Sequence, residues 1–260
     1  MKLITLNTWG GRAGRTLLLD FFKKYKDTDV FCLQEIWSAS YEHLEGHLAG
    51  GLAINNEQVM TRGMQEISET LSNHSSYFRP HHLDNYGLQI LVKNNLTVTE
   101  DGEVFVHKHK GYIPEGNIGE HARNIQYVTF NLQEGPITII NFHGLWNKSV
   151  GGKTDTEDRI NQSKKIVGFI ESLPNDFILC GDFNLLPDTE SIAILEKAGL
   201  RNLIKEYNIT STRTSFYERP DKYADYILVS KGIDIKDFKV LPEEVSDHSA
   251  LYLDFDPIHL

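Results

Sequence analysis

Short apolar runs that stop abruptly at a polar residue recur along this chain. Leu3, Thr5 and Asn7 alternate with Ile4 and Leu6, which predicts a first strand ending at Asn7 ahead of the turn-prone Gly10-Gly11. Thr16 to Lys26 carries Leu17, Leu18, Phe21, Phe22 and Tyr25 at helical spacing, with Thr16 as candidate cap. Val30 to Leu33 is a buried strand running into Gln34-Glu35, and strand, helix and strand together predict a βαβ unit. Residues 40 to 72 read as two helices broken at Gly50-Gly51, the second carrying Val59, Met64, Ile67 and Leu71.

From 76 to 142 the character changes to strands. Tyr77-Phe78, Leu88 to Val92, Val104 to Val106, Ile125 to Phe130 and Ile137 to Phe142 are short, β-rich and separated by turn residues, and Gly135-Pro136 predicts a hairpin. A helix over Thr156 to Ser172 precedes the apolar run Phe177 to Cys180, which ends in Gly181, Asp182 and Asn184. Residues two apart on an extended chain point to the same side, so Asp182 and Asn184 project together from the strand's C-terminal end. Those ends are where α/β sheets place ligands. Past Pro187, Asp188 or Thr189 caps a helix to about Ala198, stopped by Gly199. A polar segment through 222 and strands at Tyr226 to Val229, Ile233 to Val240 and Ala250 to Phe255 complete the chain. No repeat, linker or low-complexity tract interrupts it, so one domain over residues 1–260 is expected.

Composition adds limits. With 260 residues, 40% hydrophobic and 24% charged, the chain sits near ordinary globular values. A formal charge of -10 argues against a broad basic surface for nucleic acid, yet an acidic site holding a divalent cation still receives phosphate, because the ion becomes the largest local charge. Cys32 and Cys180 both fall in expected buried strands and read as core thiols. No apolar run reaches transmembrane length and residues 1 to 9 are too short for a signal peptide, so a cytoplasmic monomer is the expectation.

The polar residues that close the strands are of kinds that bind metal or phosphate: Asn7, Glu35, His143, the pair Asp182 and Asn184, and the pair Asp247 and His248, with Asp225 opening the strand Tyr226 to Val229. The motifs around them are Leu-Asn-Thr-Trp at 6 to 9, Leu-Gln-Glu-Ile at 33 to 36, Asn-Phe-His at 141 to 143, Gly-Asp-Phe-Asn at 181 to 184, Ala-Asp-Tyr-Ile at 224 to 227 and Ser-Asp-His at 246 to 248. In that order they resemble the motif set of the endonuclease/exonuclease/phosphatase (DNase I-like) superfamily, which includes DNase I, abasic-site endonucleases, neutral sphingomyelinases, inositol polyphosphate 5-phosphatases and poly(A) deadenylases.

The resemblance implies a four-layer α/β sandwich in which two mixed β-sheets pack face to face with helices outside. It also implies a hydrolase that cleaves a phosphoester, foremost a phosphodiester, with Mg²⁺ as cofactor and Mn²⁺ as the alternative ion. Glu35 resembles the metal ligand, Asn7 the residue supporting metal and phosphate, and Asp247 an acid that binds metal. Asp182 matches the acid that activates the attacking water, Asn184 the amide beside it, His143 and His248 the phosphate-contacting histidines, and Asp225 the acid orienting one of them. In-line attack on phosphorus loads charge onto the equatorial oxygens, so a cation and aimed donors suit that chemistry. An Asp225–His248 pair is expected to raise the imidazole's affinity for its proton.

The substrate is less legible. Trp9, Trp37 and Trp146 each follow a motif residue and either rim one pocket, to stack a base or cover a choline-like cation, or merely cap sheet edges. Arg123 is either a phosphate contact beside His143 or a surface arginine, and Lys108, Lys110, Lys148 and Lys153 are either a basic lip or solvated loop lysines. A small phosphate ester or the end of a nucleic-acid strand fits a chain without long basic insertions. A nuclease, a sphingomyelinase-type phospholipid hydrolase and a non-catalytic phosphate-binding member of the family are the alternatives.

Overall fold

The computed structural model of the chain describes residues 1–39, 48–49, 52–53, 55, 57–115, 118–133, 135–146 and 152–257. In chain order the elements are β1 (Lys2–Asn7), α1 (Arg15–Lys24), β2 (Val30–Trp37), β3 (Leu48–Ala49), β4 (Leu52–Ala53), α2 (Gly63–Thr70), β5 (His74–His82), β6 (Tyr86–Lys93), β7 (Val98–His107), β8 (Arg123–Leu132), β9 (Gly135–His143), α3 (Glu157–Ile170), β10 (Asp176–Asp182), α4 (Glu190–Lys197), β11 (Arg201–Asn202), α5 (Leu203–Glu206), β12 (Asp225–Val229), β13 (Ile233–Val240) and β14 (Leu251–Pro257). Two six-stranded sheets result, ordered β13-β14-β1-β2-β6-β5 and β11-β12-β10-β9-β8-β7. Each is mixed, with one parallel pair at its centre, β1 with β2 and β9 with β10.

Two-residue alternation builds the layers. Ile4, Leu6, Phe31 and Leu33 face outward and bury Phe21 and Phe22 of α1 and Ile67 of α2. Between them, Leu3, Cys32 and Ile90 face the second sheet and share a cluster with Val128, Ile139, Ile178 and Ile227. The helices α3 and α4 pack on each other, and Phe169 of α3 lies 5.0 Å from the ring of Tyr127 on β8, covering the second sheet from outside. The whole is the expected four-layer α/β sandwich. Cys32 and Cys180 are free, buried and in contact between the sheets, and burial pushes the Cys32 thiol well above its ordinary range.

Toward one end of the inter-sheet seam the apolar series turns polar. Leu3 gives way to Thr5 and Asn7, Ile139 to Asn141 and His143, and Cys180 to Asp182. Gln34 and Asn141 join the sheets there: Gln34 Nε2 donates to Asn141 Oδ1 at 2.7 Å, and Asn141 Nδ2 to the Leu33 carbonyl at 3.0 Å. Buried amides demand such partners, so this bond fixes the sheet spacing directly behind the strand ends.

The region 40 to 72 departs from expectation. Gly50-Gly51 separates β3 from β4, a short antiparallel pair, and the helix expected after it begins only at Gly63. The first expected helix falls on 40–47, outside the described residues. The chain is therefore extended at 48–49 and 52–53, where helix was expected, and two glycines weaken a helix. Thr16 does not cap α1, whose N-cap is Gly14, whereas Thr156 and Thr189 accept backbone N–H groups as caps of α3 and α4.

Candidate active site

Register sets the site. Asp182 lies abreast of His143 on β9 and of Asp225 on β12, so three titratable residues stand side by side on one sheet. Gly181 permits this: its φ is +136°, and a Cβ there would meet the Phe142 carbonyl oxygen at 2.0 Å. From the facing sheet come Asn7, abreast of Gln34, and Glu35, which sits in a bulge between Leu33 and Ile36 with φ +58°. The bulge carries β2 on to Trp37, past the expected end at Leu33, and breaks the alternation so that Gln34 points into the seam while Glu35 reaches the pocket.

Asp182 is the hub. Its Oδ1 accepts the backbone N–H of Asn184 at 2.8 Å, a local turn that holds Asn184 at φ +53°. Its Oδ2 accepts from Asn7 Nδ2 at 2.9 Å and faces His143 Nε2 and His248 Nε2, each at 3.6 Å. Asn7 Nδ2 also donates to Glu35 Oε1 at 3.1 Å, while its Oδ1 accepts the Trp9 N–H at 2.9 Å. With its nitrogen turned to two acids, Asn7 braces Glu35 and Asp182 in this arrangement, while its oxygen, which has two lone pairs and accepts the Trp9 N–H, keeps one lone pair. Asp247 pairs with Arg213 Nη1 at 3.0 Å and lies 3.8 Å from His248 Nε2. Asn184 Nδ2 donates to the Gly144 carbonyl at 3.3 Å, placing the amide beside Asp182.

Burial and the negative charges of Asp247 and Asp182 raise the Glu35 carboxyl to about 6, against the pull of Asn7 and Arg12. Carboxylates gathered on one cavity are the donor set a hard divalent cation requires, so Glu35 and Asp247, which both line it, fit a Mg²⁺-type ion. Asp182, Asp225 and His248 also offer ligand atoms within 4.8 Å of one another. Both Asp225 oxygens, however, face His248 Nδ1, at 2.8 and 2.9 Å, so Asp225 and His248 are a hydrogen-bonded pair first.

The Asp225–His248 pair forms as expected, but the imidazole's affinity for its proton is lowered, not raised. Burial, with Arg213 next, lowers His248 to about 4, and burial raises Asp225 to about 7, because separated charges are poorly solvated here. The neutral pair is thus favoured over the ion pair, with one proton lying between Asp225 and His248 Nδ1. Wherever it sits on that bond, His248 Nε2 carries the hydrogen that points into the site. His143 reaches the same condition differently. Its Nδ1 faces Arg123 Nη1 at 3.3 Å, and since a guanidinium only donates, Nδ1 accepts and Nε2 keeps the hydrogen. Burial and Arg123 hold His143 well below the ordinary histidine range, so it is a neutral donor.

Arg123 is no surface residue. It is 2% exposed, donates to the Gly119 carbonyl at 3.2 Å, leaves Nε without a partner, and pairs with no carboxylate among the described residues. Its charge is felt by Glu35 and Asp182 through the cavity. That cavity, of about 440 Å³, is lined by Glu35, Arg123, His143, Asp182, Asn184, Asp247 and His248, and by Trp9, Trp37 and Trp146, so the indoles do rim one pocket.

Among the described residues, Lys108, Lys110 and Lys153 do not form the lip. Lys153 is buried, donates to the Tyr223 carbonyl at 2.7 Å and is lowered to about 8 by burial, with Arg213 adding to the effect. Lys110 pairs with Glu103 and borders a different cavity, neither it nor Lys108 lines the catalytic one, and Lys148 lies outside the described residues. Cations at the mouth come instead from Arg12, Arg213, stacked 3.9 Å from the Tyr217 ring centre, and Arg219, 5.9 Å from that of Trp146. Sequence reasoning passed over these, and over Tyr86, His82 and His121, because they sit in segments without periodicity or away from any motif.

A model of the Endonuclease/Exonuclease/phosphatase family matches residues 4–248. No curated protein matches the chain. Among solved structures, a functionally unknown conserved protein from Enterococcus faecalis is 17% identical with a TM-score of 0.71, covering 99% of this chain and 100% of its own. A mannosyl-6-phosphatase from Bacteroides thetaiotaomicron is 15% identical with a TM-score of 0.71, covering 98% and 99%. D. rerio TDP2 complexed with a single-strand DNA product is 16% identical with a TM-score of 0.68, covering 98% of both chains. At such identities the likeness establishes a shared fold.

Proposed function

Since the chain belongs to the endonuclease/exonuclease/phosphatase family, which is generally hydrolytic on phosphoester bonds, we propose that it is a Mg²⁺-dependent phosphoesterase in which Asp182 activates the attacking water. The observation that carries this reading is the setting of Asp182 Oδ2, bounded by Asn7 Nδ2 and by two imidazole Nε2 atoms at 3.6 Å. That arrangement suits a base beside a phosphoryl group whose oxygens meet the two histidines. Asp182, its orientation fixed through Asn184 N–H, takes the water's proton as the water attacks phosphorus, and the P–O bond to the alcohol breaks, the alcohol oxygen leaving with a proton from solvent. His143 and His248 donate through Nε2 to the phosphoryl oxygens, where charge accumulates. Asp225 positions His248, Arg123 positions His143, and the unbalanced charge of Arg123 favours an anionic ligand. A bound Mg²⁺ on Glu35 and Asp247 supplies Lewis-acid stabilisation of the same charge.

An anion arriving at His248 Nε2 also favours moving the shared proton from Asp225 to the imidazole, turning a neutral donor into a charged one when the substrate is present. The cavity of about 440 Å³ and the net charge of -10 favour a small ester over a duplex. A nucleic-acid strand end is the second reading, favoured by Arg219 over Trp146 at the mouth. The test is hydrolysis of bis-p-nitrophenyl phosphate and p-nitrophenyl phosphate with Mg²⁺ and with chelator. Chelation is expected to abolish turnover and Asp182→Asn to lower kcat by about 10²–10⁴. Full activity in either condition contradicts the proposal.

A further inference from the structure

Arg213 comes to the cavity on a segment that the mechanism above does not use. The chain at 212–214 runs beside 247–249: Ser249 N–H donates to the Thr212 carbonyl at 3.0 Å, Thr214 N–H to the Asp247 carbonyl at 3.3 Å, and Arg213 bridges His248. Thr214 Oγ1 also donates to the Ser246 carbonyl at 2.5 Å, and Ser215 gives its N–H and its hydroxyl to Glu244, at 2.8 and 2.5 Å. The backbone around Arg213 is thus tied to the stretch that carries Asp247.

The side chain is held as well. A turn closed by the Tyr217 N–H on the Thr214 carbonyl at 3.2 Å brings the phenol ring back over the guanidinium, whose carbon lies 3.9 Å from the ring centre. Lys153 Nζ lies 5.2 Å from the same centre and is itself fixed by the Tyr223 carbonyl at 2.7 Å. Only 6% of the Arg213 side chain and 13% of the Asp247 side chain are exposed, so the 3.0 Å bond from Nη1 to Oδ2 is no surface ion pair.

That bond answers a charge problem. Burial first, and then the charge of Asp247, push the Glu35 carboxyl up, so the acids of this cavity repel one another. Arg213 supplies the missing positive charge at Asp247. The tie is also replaceable. One N–H reaches one carboxylate oxygen while Nε has no partner, unlike the two-pronged fork by which arginine locks a carboxylate. The other oxygen, Oδ1, has the Ser246 hydroxyl at 3.4 Å and His248 Nε2 at 3.8 Å beside it.

We propose that Arg213, clamped on Tyr217, is a built-in counter-ion of Asp247 that competes with the divalent cation and thereby sets how tightly the site binds it. The inference rests on the metal-dependent phosphoesterase reading and adds a positioning residue to it. Two effects oppose each other. By ordering Asp247, Arg213 spares the cation the cost of fixing one carboxylate, which is worth about threefold in affinity. By placing a full positive charge against the same carboxylate in a poorly solvated pocket, it weakens binding by about tenfold or more. The second effect is the larger.

The experiment titrates Mg²⁺ alone into the wild type and Arg213→Met, with the dissociation constant from calorimetry and the Tm from thermal unfolding. Methionine keeps an unbranched apolar stem beside Tyr217 and removes the charge. The variant is expected to melt below the wild type under chelation, to bind Mg²⁺ net about fivefold or more tightly, and to gain more in Tm from it. Arg213→Lys, which keeps the charge, should bind Mg²⁺ within about threefold of the wild type. Equal or weaker Mg²⁺ binding by Arg213→Met, or Arg213→Lys binding as tightly as Arg213→Met, overturns the inference and leaves the phosphoesterase reading standing. Should Arg213→Met not fold, Tyr217→Leu, which frees the guanidinium from its clamp, must show the tighter binding instead, and unchanged affinity there overturns the proposal. A wild type that neither binds Mg²⁺ nor hydrolyses an ester overturns that reading and this inference with it.

Discussion

Replacing Glu35 with Gln isolates the electrostatic cost of an acid cluster arranged for a cation. Burial and the facing acids raise this carboxyl from its ordinary 4.5 to about 6. The native protein therefore binds this proton more tightly than the unfolded chain does. Stability from Glu35 is fully present below 4.5 and lost as pH rises through about 6. A shift of that size amounts to about 2 kcal/mol of strain in the metal-free protein at neutral pH. Glutamine keeps the shape and an oxygen for Asn7 Nδ2, which donates to Glu35 Oε1 at 3.1 Å, but carries no charge. In urea unfolding with chelator, Glu35→Gln is expected to be more stable than the wild type by about 2 kcal/mol near pH 8 and equal to it near pH 4. With Mg²⁺ the order reverses near pH 8, because the ion stabilises only the protein that binds it. A Gln variant less stable than the wild type at high pH without metal, or one that Mg²⁺ stabilises as strongly, refutes the reasoning.

Other outcomes follow from the same geometry. Gly181→Ala places a Cβ 2.0 Å from the Phe142 carbonyl oxygen at φ +136°, and should cost about 3 kcal/mol or more in thermal or urea unfolding. Asp225→Asn removes the carboxyl that shares a proton with His248 Nδ1 at 2.8 Å; kcat should fall by about 10²–10³ with KM little changed in steady-state assays. Chemical shifts of the His248 ring should show a neutral imidazole in the free protein near pH 6, since its value lies at about 4, and movement toward the protonated form when inorganic phosphate is added.

Much of this site was readable because β-structure counts in twos. Leu3, Thr5 and Asn7, or Ile139, Asn141 and His143, show in sequence alone which face each strand end serves, and the motif order carried the family resemblance that implied the sandwich. What the alternation does not carry is anything set by a break in it. The Glu35 bulge, the antiparallel pair of β3 and β4 and the turn at Asn184 are local departures whose outcome depends on contacts across the sheets. Arg213 reaches the site only because its backbone bridges His248, 35 residues further on, from a polar stretch with no period. The same distance problem hid the stacking of His121 on His81 and His82, which come from a separate segment. Lys153 looked like a solvated loop lysine, and only the Tyr223 carbonyl reveals why it is buried. The sign of the His248 shift was misjudged for a related reason: a partner acid is visible in sequence, whereas the desolvation that outweighs it is a property of the packed pocket.

The central claim, that water held by Asp182 attacks phosphorus, is tested most directly by running the reaction in water enriched in the heavy oxygen isotope and locating the label by mass spectrometry. The account predicts a single heavy oxygen in the phosphoryl product and none in the alcohol, with turnover lost in Asp182→Asn. Label in the alcohol, or a phosphorylated protein accumulating during turnover, would contradict it.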